Sequence, residues 1–331
     1  MKFDISIGNP PYQEIKNKSM VSIYHKFMRL CENISEISSL IVPARWLSDN
    51  PNGISRLDLK KMRELSHISE IIIREDSVFE GVDISGGICY YLYNSNHIGK
   101  YKSIFINRVG EIVKYEDSLN IDGYIIRDNY ARGIINKIKL LYGDNYTDNN
   151  SIKQLILGSR AFTSNDIQLN TNWNGYKLIN DNINYIRYYN KKDNEAFISE
   201  EDISANNNLI HLRKIYLHLT GPVNTQVLNK PFIGDRDSVC SRSYTALVLN
   251  DDSIDKQDTY IDYIKTKWFR FIVSAIKTTQ HANADVYTFI PMLDTKEQSM
   301  GSRLTDSYLY KKYKLTADEI DYIERSISEI D

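Results

Sequence analysis

The sequence predicts an α/β protein whose N-terminal part forms a partial Rossmann-like sheet, followed by a mixed α+β region. Over the first hundred residues, short apolar and β-branched runs alternate with segments of helical periodicity, which is the pattern of a sheet covered by helices. Beyond about residue 101 the pattern changes to short strand-like runs in Asn-rich connections. We therefore predict two domains, residues 1–100 and residues 101–331.

The N-terminal domain starts with an apolar-rich strand at residues 3–7, which ends at Gly8 and two prolines. Apolar residues at helical spacing then predict a helix over residues 19–35, with Ser19 as its N-cap. The remaining predicted elements of this domain are a strand at 40–43, a helix at 56–65, and strands at 68–73 and 87–93.

The C-terminal domain contains two segments whose spacing predicts helices. Residues 260–276 place apolar side chains on one helical face, as expected of a core helix. Thr316 and Glu319 form the pattern of a capping box for a helix that runs to about residue 327. We interpret both helices as parts of the folded core, without a role in ligand binding.

Cysteines, histidines and the N-terminus exclude several classes of protein. The three cysteines lie far apart without a C-x-x-C pair, and the six histidines show no ligand periodicity, so we predict neither disulfides nor a metal site. No apolar run approaches the roughly 18 to 20 residues of a membrane span, and the N-terminus is not built like a signal peptide. The sequence therefore predicts a cytoplasmic protein without a membrane partner.

The charge of the chain gives only a weak indication of its binding partner. The net charge of −2 does not suggest a polyanionic partner for the whole chain. Residues 208–246, however, hold five basic and two acidic residues, which fits either a phosphate-facing patch or a solvated loop surface. The residues of this segment that we predict to contact DNA are Arg213, Lys214, Arg236 and Arg242.

The tetrapeptide Asn9-Pro10-Pro11-Tyr12 directly follows the first predicted strand. The two prolines fix φ near −65° and remove two N–H donors, so the backbone is stiff and the Pro10 carbonyl has no helical partner. The Asn9 side-chain oxygen and this carbonyl can each accept a hydrogen bond from one NH₂ group. The adjacent Tyr12 ring offers a flat surface on which a base taken out of its stack can lie.

These acceptors suit one chemistry in particular. The lone pair of an adenine amino group is delocalised into the ring, which makes the nitrogen a poor nucleophile. Two acceptors on its hydrogens favour tetrahedral geometry at this nitrogen, so that the lone pair can attack an electrophilic methyl group. The alternative interpretation is a Pro-Pro turn with a packed tyrosine.

The segment FDISIGNPPYQ resembles motif IV of adenine-specific DNA methyltransferases, with its [DNS]PP[YF] signature. Further likenesses are to the large methyltransferases of combined restriction-modification proteins, of the type IIG-like group. They lie in IVPARWL, SVFEGVDISGGICYYLYN, NKPFIGDRDSVCSRSYTALVL, KTTQHANADVYTFIPMLD and the tail YKKYKLTADEIDYIE. The resemblance implies sequence-specific methylation of adenine N6 in double-stranded DNA, with S-adenosylmethionine as donor.

The resemblance also implies roles for particular residues. Asn9 and Pro10 would bind the target amino group, and Tyr12 would stack on the adenine, with Pro11 and Phe79 as further substrate-binding residues. A core position on an edge strand is the alternative for Phe79. The region beyond residue 100 would be a target-recognition domain.

One departure from the family pattern is large. These methyltransferases bind S-adenosylmethionine on a Gly-rich loop that precedes the NPPY motif, and no G-x-G occurs in the 331 residues. We expect the cofactor site to be incomplete and the chain to be inactive alone, with the cofactor half supplied by an N-terminal segment or a partner subunit. The alternatives are a non-catalytic DNA-binding or specificity module derived from such an enzyme, and an incidental tetrapeptide in an unrelated fold.

Overall fold

The structure, a computed structural model, forms two compact units, Met1–Arg132 and Gly133–Asp331. The predicted domains, residues 1–100 and 101–331, stay a prediction, and the compact units meet between Arg132 and Gly133. The residues that the structure describes are 3–47, 51, 53–64, 67–76, 78, 84, 86–107, 110–116, 120–121, 124–162, 175–178, 184–191, 196–222, 225–249, 252–277 and 280–330.

The first unit contains a few helices among many strands. In chain order the elements are β1 (Phe3–Gly8), β2 (Gln13–Lys16), β3 (Ser19–Ser22), α1 (Tyr24–Ile34), β4 (Ser35–Pro43), α2 (Arg56–Arg63), β5 (Ile68–Arg74), β6 (Ile88–Asn94), β7 (Lys102–Ile106), β8 (Ile112–Glu116), β9 (Asn120–Ile121), β10 (Tyr124–Ile125) and α3 (Asn129–Tyr142). The last of these helices contains the division between the units.

The main sheet of the first unit has the strand order β1-β4-β6-β5-β7-β8. β1 pairs with β4, and β5 with β7, in parallel, whereas the other neighbours are antiparallel. This mixed sheet with flanking helices confirms the predicted α/β class. Its core lies on the central strands, where Val42, Ile71, Ile73 and Cys89 are fully buried, and Tyr24 and Met28 of α1 pack into the same cluster.

The helix predicted from residue 19 is wrong at its start. Residues 19–22 form β3, which pairs with β2 in an antiparallel hairpin, and α1 begins only at Tyr24. Asn17 and Lys18 at the turn both have positive φ, 50° and 61°. A two-residue hairpin turn of type I′ requires this geometry, and Ser19 therefore belongs to a strand instead of capping a helix.

The second unit continues with α4 (Tyr146–Asn149), β11 (Ile156–Leu157), β12 (Tyr185–Tyr189), β13 (Ala196–Ser199), β14 (Lys214–His218), β15 (Phe232–Ile233), β16 (Ser238–Cys240), β17 (Tyr244–Val248), α5 (Ile254–Lys265), α6 (Lys267–Ile276), α7 (Asp306–Lys312) and α8 (Ala317–Ser326). Its strands form sheets of the order β11-β17-β14-β15 and β13-β12-β16. This mixture of short strands and helices is the mixed α+β region that the sequence predicts.

The predicted helix at residues 260–276 is two helices. Thr266 separates α5 from α6 and caps the second helix, because its Oγ1 accepts a hydrogen bond from the Phe269 N–H at 3.2 Å. The predicted capping box is confirmed, since the Thr316 side chain accepts from the Glu319 N–H and the Glu319 carboxylate accepts from the Thr316 N–H. Within the described ranges, no helix has both the length and the apolar character needed to cross a bilayer.

Candidate functional site

The Asn9-Pro10-Pro11-Tyr12 segment follows the carboxyl end of β1. Gly8, the last residue of that strand, lies opposite Leu40 of the parallel strand β4, and β4 continues to Pro43. The segment therefore leaves the sheet at the edge where the carboxyl ends of two parallel strands meet, a common place for ligand sites in α/β sheets. The Asn9 side chain is exposed to solvent there.

β1 is the end strand of the main sheet and pairs with β4 alone among the described residues. Its apolar side chains are not covered, and Phe3, Ile5 and Ile7 are 53%, 60% and 79% exposed. Alternating strand residues point to opposite faces, but Asp4 is exposed as well, so β1 is uncovered on both faces. An apolar strand at an open edge is a template for pairing with a further strand.

Tyr12 is the member of the motif that is held most closely by the body of the unit. Its carbonyl accepts a hydrogen bond from the Ile23 N–H at 3.0 Å, which joins the motif to the start of α1. Its ring is half-buried, and its hydroxyl is buried. Burial raises the pKa of Tyr12 more than the neighbouring Asn9 side chain lowers it, so the phenol stays neutral at physiological pH.

Cys89 lies near Tyr12, as its electrostatic influence on the Tyr12 hydroxyl indicates. It belongs to β6, opposite Val42 of β4. Burial raises the pKa of the Cys89 thiol to about 12, so this group is an uncharged packing residue and not a nucleophile. The Tyr12 side chain is thus half-buried, whereas Asn9 is exposed to solvent.

Backbone contacts fix the loops around this edge. The Ala44 N–H, just after β4, donates to the Gly87 carbonyl at 2.9 Å. The buried Arg127 donates to the Gly86 carbonyl at 2.8 Å and lies 3.2 Å from the Glu75 carboxylate. Gly87 has a φ of +72°, and an added Cβ would lie 2.1 Å from the Arg74 carbonyl oxygen. The Gly86-Gly87 pair therefore permits a close backbone approach that side chains would prevent.

Phe79, the second aromatic residue predicted to contact the adenine, lies outside the described residues. Its proposed role therefore stays a prediction. Groups of three or more His, Cys, Asp or Glu side chains that could hold a metal ion do not occur in the described part of the chain.

Lys214 has surroundings that a DNA-binding lysine would not have. Its side chain is fully buried, and its ammonium donates to the carbonyl oxygens of Leu209 and Ile210, each at 2.8 Å, and to that of Leu212. Burial lowers the pKa of Lys214 to about 8. Because the charge is turned inward, we correct this prediction and leave Lys214 out of the proposed DNA surface.

The three predicted arginines differ in exposure. Arg236 has a side chain that is 60% exposed and forms an ion pair with Asp252. The same carboxylate accepts a hydrogen bond from the backbone N–H of Arg213 at 2.7 Å. Arg213 and Arg242 are half-buried. Asp252, which lies outside the basic segment, thus reduces the positive charge that the segment presents.

Two features near the motif escaped the sequence analysis. The β2–β3 hairpin follows Tyr12 directly, and the local signal for it was Asn17 at the turn between two short segments. The proximity of Cys89 to Tyr12 joins residues far apart in the chain, and no local pattern predicts such a contact.

The comparisons with known proteins agree with the motif. Residues 1–79 match the family model of the Eco57I restriction-modification methylase. A curated relative from Mycoplasma pneumoniae (strain ATCC 29342 / M129 / Subtype 1), described as an uncharacterized adenine-specific methylase, is 33% identical over 109 residues, which is 30% of this chain. The aligned part spans a quarter of that relative's length.

Solved restriction-modification enzymes are also similar in structure. The type IIL enzyme MmeI, solved in complex with DNA, has a TM-score of 0.49 at 9% identity, over 98% of this chain and 55% of that chain. The type ISP enzyme LlaGI, solved with a DNA substrate mimic, has a TM-score of 0.40 at 10% identity, over 90% of this chain and 34% of that chain. The predicted resemblance is confirmed at the N-terminus, where residues 1–79 are similar to Eco57I-type restriction-modification methylases.

Proposed function

We propose that this chain is the methyl-acceptor and target-recognition part of a sequence-specific DNA adenine-N6 methyltransferase of a restriction-modification system, acting in the cytoplasm. The observation that carries the proposal is the position of Asn9-Pro10-Pro11-Tyr12 at the carboxyl end of β1, within the residues that match the methylase family. The exposed Asn9 amide is accessible to a base approaching from solvent.

The proposed chemistry uses few groups of this chain. The Asn9 side-chain oxygen and the Pro10 carbonyl accept hydrogen bonds from the adenine N6 amino group, and the Tyr12 ring stacks on the extruded base. S-adenosylmethionine supplies the electrophilic methyl group when bound. Pro11 keeps the Asn9 and Pro10 acceptors rigid, and Phe79 is proposed as a second stacking residue.

We propose that another segment or a partner chain supplies the cofactor half. Two observations support this: no G-x-G occurs in the 331 residues, and β1 presents an open, apolar edge at the strand that carries the motif. A strand added beside β1 would pair its free backbone groups and cover Phe3, Ile5 and Ile7. The residues present therefore do not fit S-adenosylmethionine by themselves.

The proposed DNA-contacting residues of the second unit are Arg213, Arg236 and Arg242. Arg236 carries most of this proposal, because its guanidinium is exposed and can exchange Asp252 for a phosphate oxygen. Which bases are read depends on loops of this unit.

Methyl transfer by a completed enzyme tests the proposal. The chain is combined with a cofactor half, as a separate chain or an upstream fusion, and incubated with labelled S-adenosylmethionine and unmethylated bacterial DNA. We expect N6-methyladenine, detected by mass spectrometry, only in the combined sample. DNA binding without methyl transfer in the combined sample would favour the alternative, a non-catalytic DNA-binding module.

A further inference from the structure

The β2–β3 hairpin is a stiff two-stranded ribbon that extends from the proposed catalytic motif. Its four paired positions run from Gln13 opposite Ser22 to Lys16 opposite Ser19, without a bulge. The turn residues Asn17 and Lys18 both have positive φ, as in the tightest hairpin turns. The two strands of the ribbon therefore pair in a single, continuous register.

The base of this ribbon is anchored to Tyr12 and to the body of the unit. The Tyr12 carbonyl accepts the Ile23 N–H at 3.0 Å, which closes the hairpin at the motif. A Cβ added to Gly53 would lie 2.3 Å from Cγ1 of Val21 and 3.0 Å from the Ser22 carbonyl oxygen. Gly53 thus leaves room for the hairpin base to pack closely, and the hairpin base is joined to Tyr12 through its carbonyl.

Ile15 and Met20 form an exposed apolar pair near the outer end of the ribbon. They face each other across the two strands and are 77% and 54% exposed. Val21, which packs at Gly53, points to the opposite face because successive strand residues alternate. Apolar side chains paired in this way on a projecting ribbon differ from a singly scattered surface residue such as Ile98.

The charges of the ribbon suit a polyanion. Lys16 and Lys18, one beside the pair and one at the turn, are both exposed. The single carboxylate of the ribbon, Glu14, has the Lys26 ammonium of α1 at 3.9 Å. The end that carries the apolar pair is therefore positively charged, and phosphates of a nucleic acid are the complementary surface.

We propose that this ribbon enters the DNA duplex at the target site, where Ile15 and Met20 fill the space that the extruded adenine leaves. The inference rests on the proposed function. Ile15 is three residues beyond Tyr12, about 10 Å along an extended strand, so one rigid element would hold both the base-stacking ring and the wedge. Ile and Met are among the side chains that proteins insert between base steps, and filling the gap offsets part of the cost of unstacking.

Binding of the 331-residue chain to two duplexes tests the wedge without requiring catalysis. Both are 30-base-pair duplexes of one mixed sequence, and one carries a single abasic site, which already provides the gap. By fluorescence anisotropy we expect the native chain to prefer the abasic duplex by about tenfold, because a wedge that enters an existing gap avoids part of the unstacking cost of about a few kcal/mol. The double variant Ile15→Ser, Met20→Ser should lose this preference but keep its affinity for the intact duplex within about twofold.

Two control variants separate the wedge from other effects. Ile98→Ser removes a side chain that is 90% exposed elsewhere in the same unit and should keep the tenfold preference. Lys18→Gln should weaken binding to both duplexes equally and reduce the salt slope by about one. Circular dichroism melting checks that each variant folds, since all four positions are exposed.

Equal binding of the two duplexes by the native chain would overturn the wedge, as would a preference that survives the double variant. A double variant that binds DNA normally but no longer associates with the cofactor half would overturn it in favour of a protein contact. The proposed function fails separately, through absence of methyl transfer in the combined enzyme.

Discussion

β1 and β17 are both short, apolar strands, yet β17 is buried and β1 is largely exposed. All five residues of β17 are buried between β11 and β14 in the second unit. β1 has β4 on one side, and its three large apolar side chains are more than half exposed. The second unit thus buries its interior strand β17, whereas, among the described residues, the strand that precedes the Asn9 motif has a neighbour on one side only.

This contrast suggests that the apolar residues of β17 contribute to stability and those of β1 to function. In β17, apolar side chains stabilise the fold by removing surface from water. In β1 the same residue types gain little, because they remain exposed to water. Under the proposed function, a strand of the cofactor half would cover them. We therefore expect substitutions in the second unit to affect folding, and substitutions near β1 to affect assembly and catalysis.

Asn9→Ala in the completed enzyme should have the largest effect. The change removes one of two acceptors aimed at the adenine amino group, and loss of one such transition-state hydrogen bond lowers the rate by about 10²-fold or more. Single-turnover methylation kinetics measure the rate, and the DNA dissociation constant is the control, expected to be unchanged. A variant that methylates at the wild-type rate would contradict the role of Asn9.

A matched pair of isoleucines tests the two strand environments directly. Ile215→Ala in β14, beside β17, empties a fully buried site and should cost about 2 to 5 kcal/mol of unfolding free energy. Ile7→Ala in β1 removes an exposed side chain and should change it by less than about 0.5 kcal/mol. Urea unfolding of the two variants gives both values, and similar losses would show that β1 is covered in solution.

Tyr12→Ala should weaken binding of the extruded base by about 1 to 3 kcal/mol, the range for stacking of one base on one aromatic ring. Tyr12→Phe is the control, because it keeps the ring and removes only the hydroxyl. Fluorescence of 2-aminopurine at the target position, once methylation mapping gives the recognition sequence, reports extrusion. An alanine variant that extrudes the base normally would assign Tyr12 to packing alone.

Lys214 in the second unit should make the free energy of unfolding depend on pH. Burial lowers its pKa in the folded state from 10.5 to about 8, so the folded state favours the neutral amine relative to the unfolded chain. The contribution of the neutral Lys214 amine to the free energy of unfolding is fully present above about pH 10.5 and is lost as the pH falls through about 8. The stability of the native chain relative to Lys214→Met should therefore rise between these pH values, as measured by urea unfolding, and a constant difference would contradict the burial of the ammonium.

Local sequence patterns were sufficient to predict some of the secondary-structure elements and the Asn9 motif. The strand before Asn9, strand β6 and the Thr316 capping box follow from periodicity and from side chains three residues apart. The motif could be identified because two prolines and an aromatic residue follow a strand directly.

Other features depend on contacts that sequence spacing does not reveal. The apolar residues that follow Ser19 keep helical spacing, yet the chain takes left-handed φ values at Asn17 and Lys18 and forms a hairpin. The break at Thr266 is supported by Asp306, which accepts the N–H groups of Lys267 and Trp268 at 3.0 and 2.7 Å. The burial of Lys214 likewise depends on carbonyl groups of a loop that folds over it.

Hydrogen exchange at β1 tests the central claim most directly. The amides of residues 3–8 are compared in the isolated chain and after addition of the cofactor half, with sedimentation measured on the same samples. We predict that amides pointing away from β4 exchange rapidly in the isolated chain, that this chain sediments above its 38.5 kDa monomer mass as concentration rises, and that the cofactor half slows the exchange and suppresses the association. Full protection of these amides in a stable 38.5 kDa monomer would show that the chain completes its own sheet, and would contradict the claim.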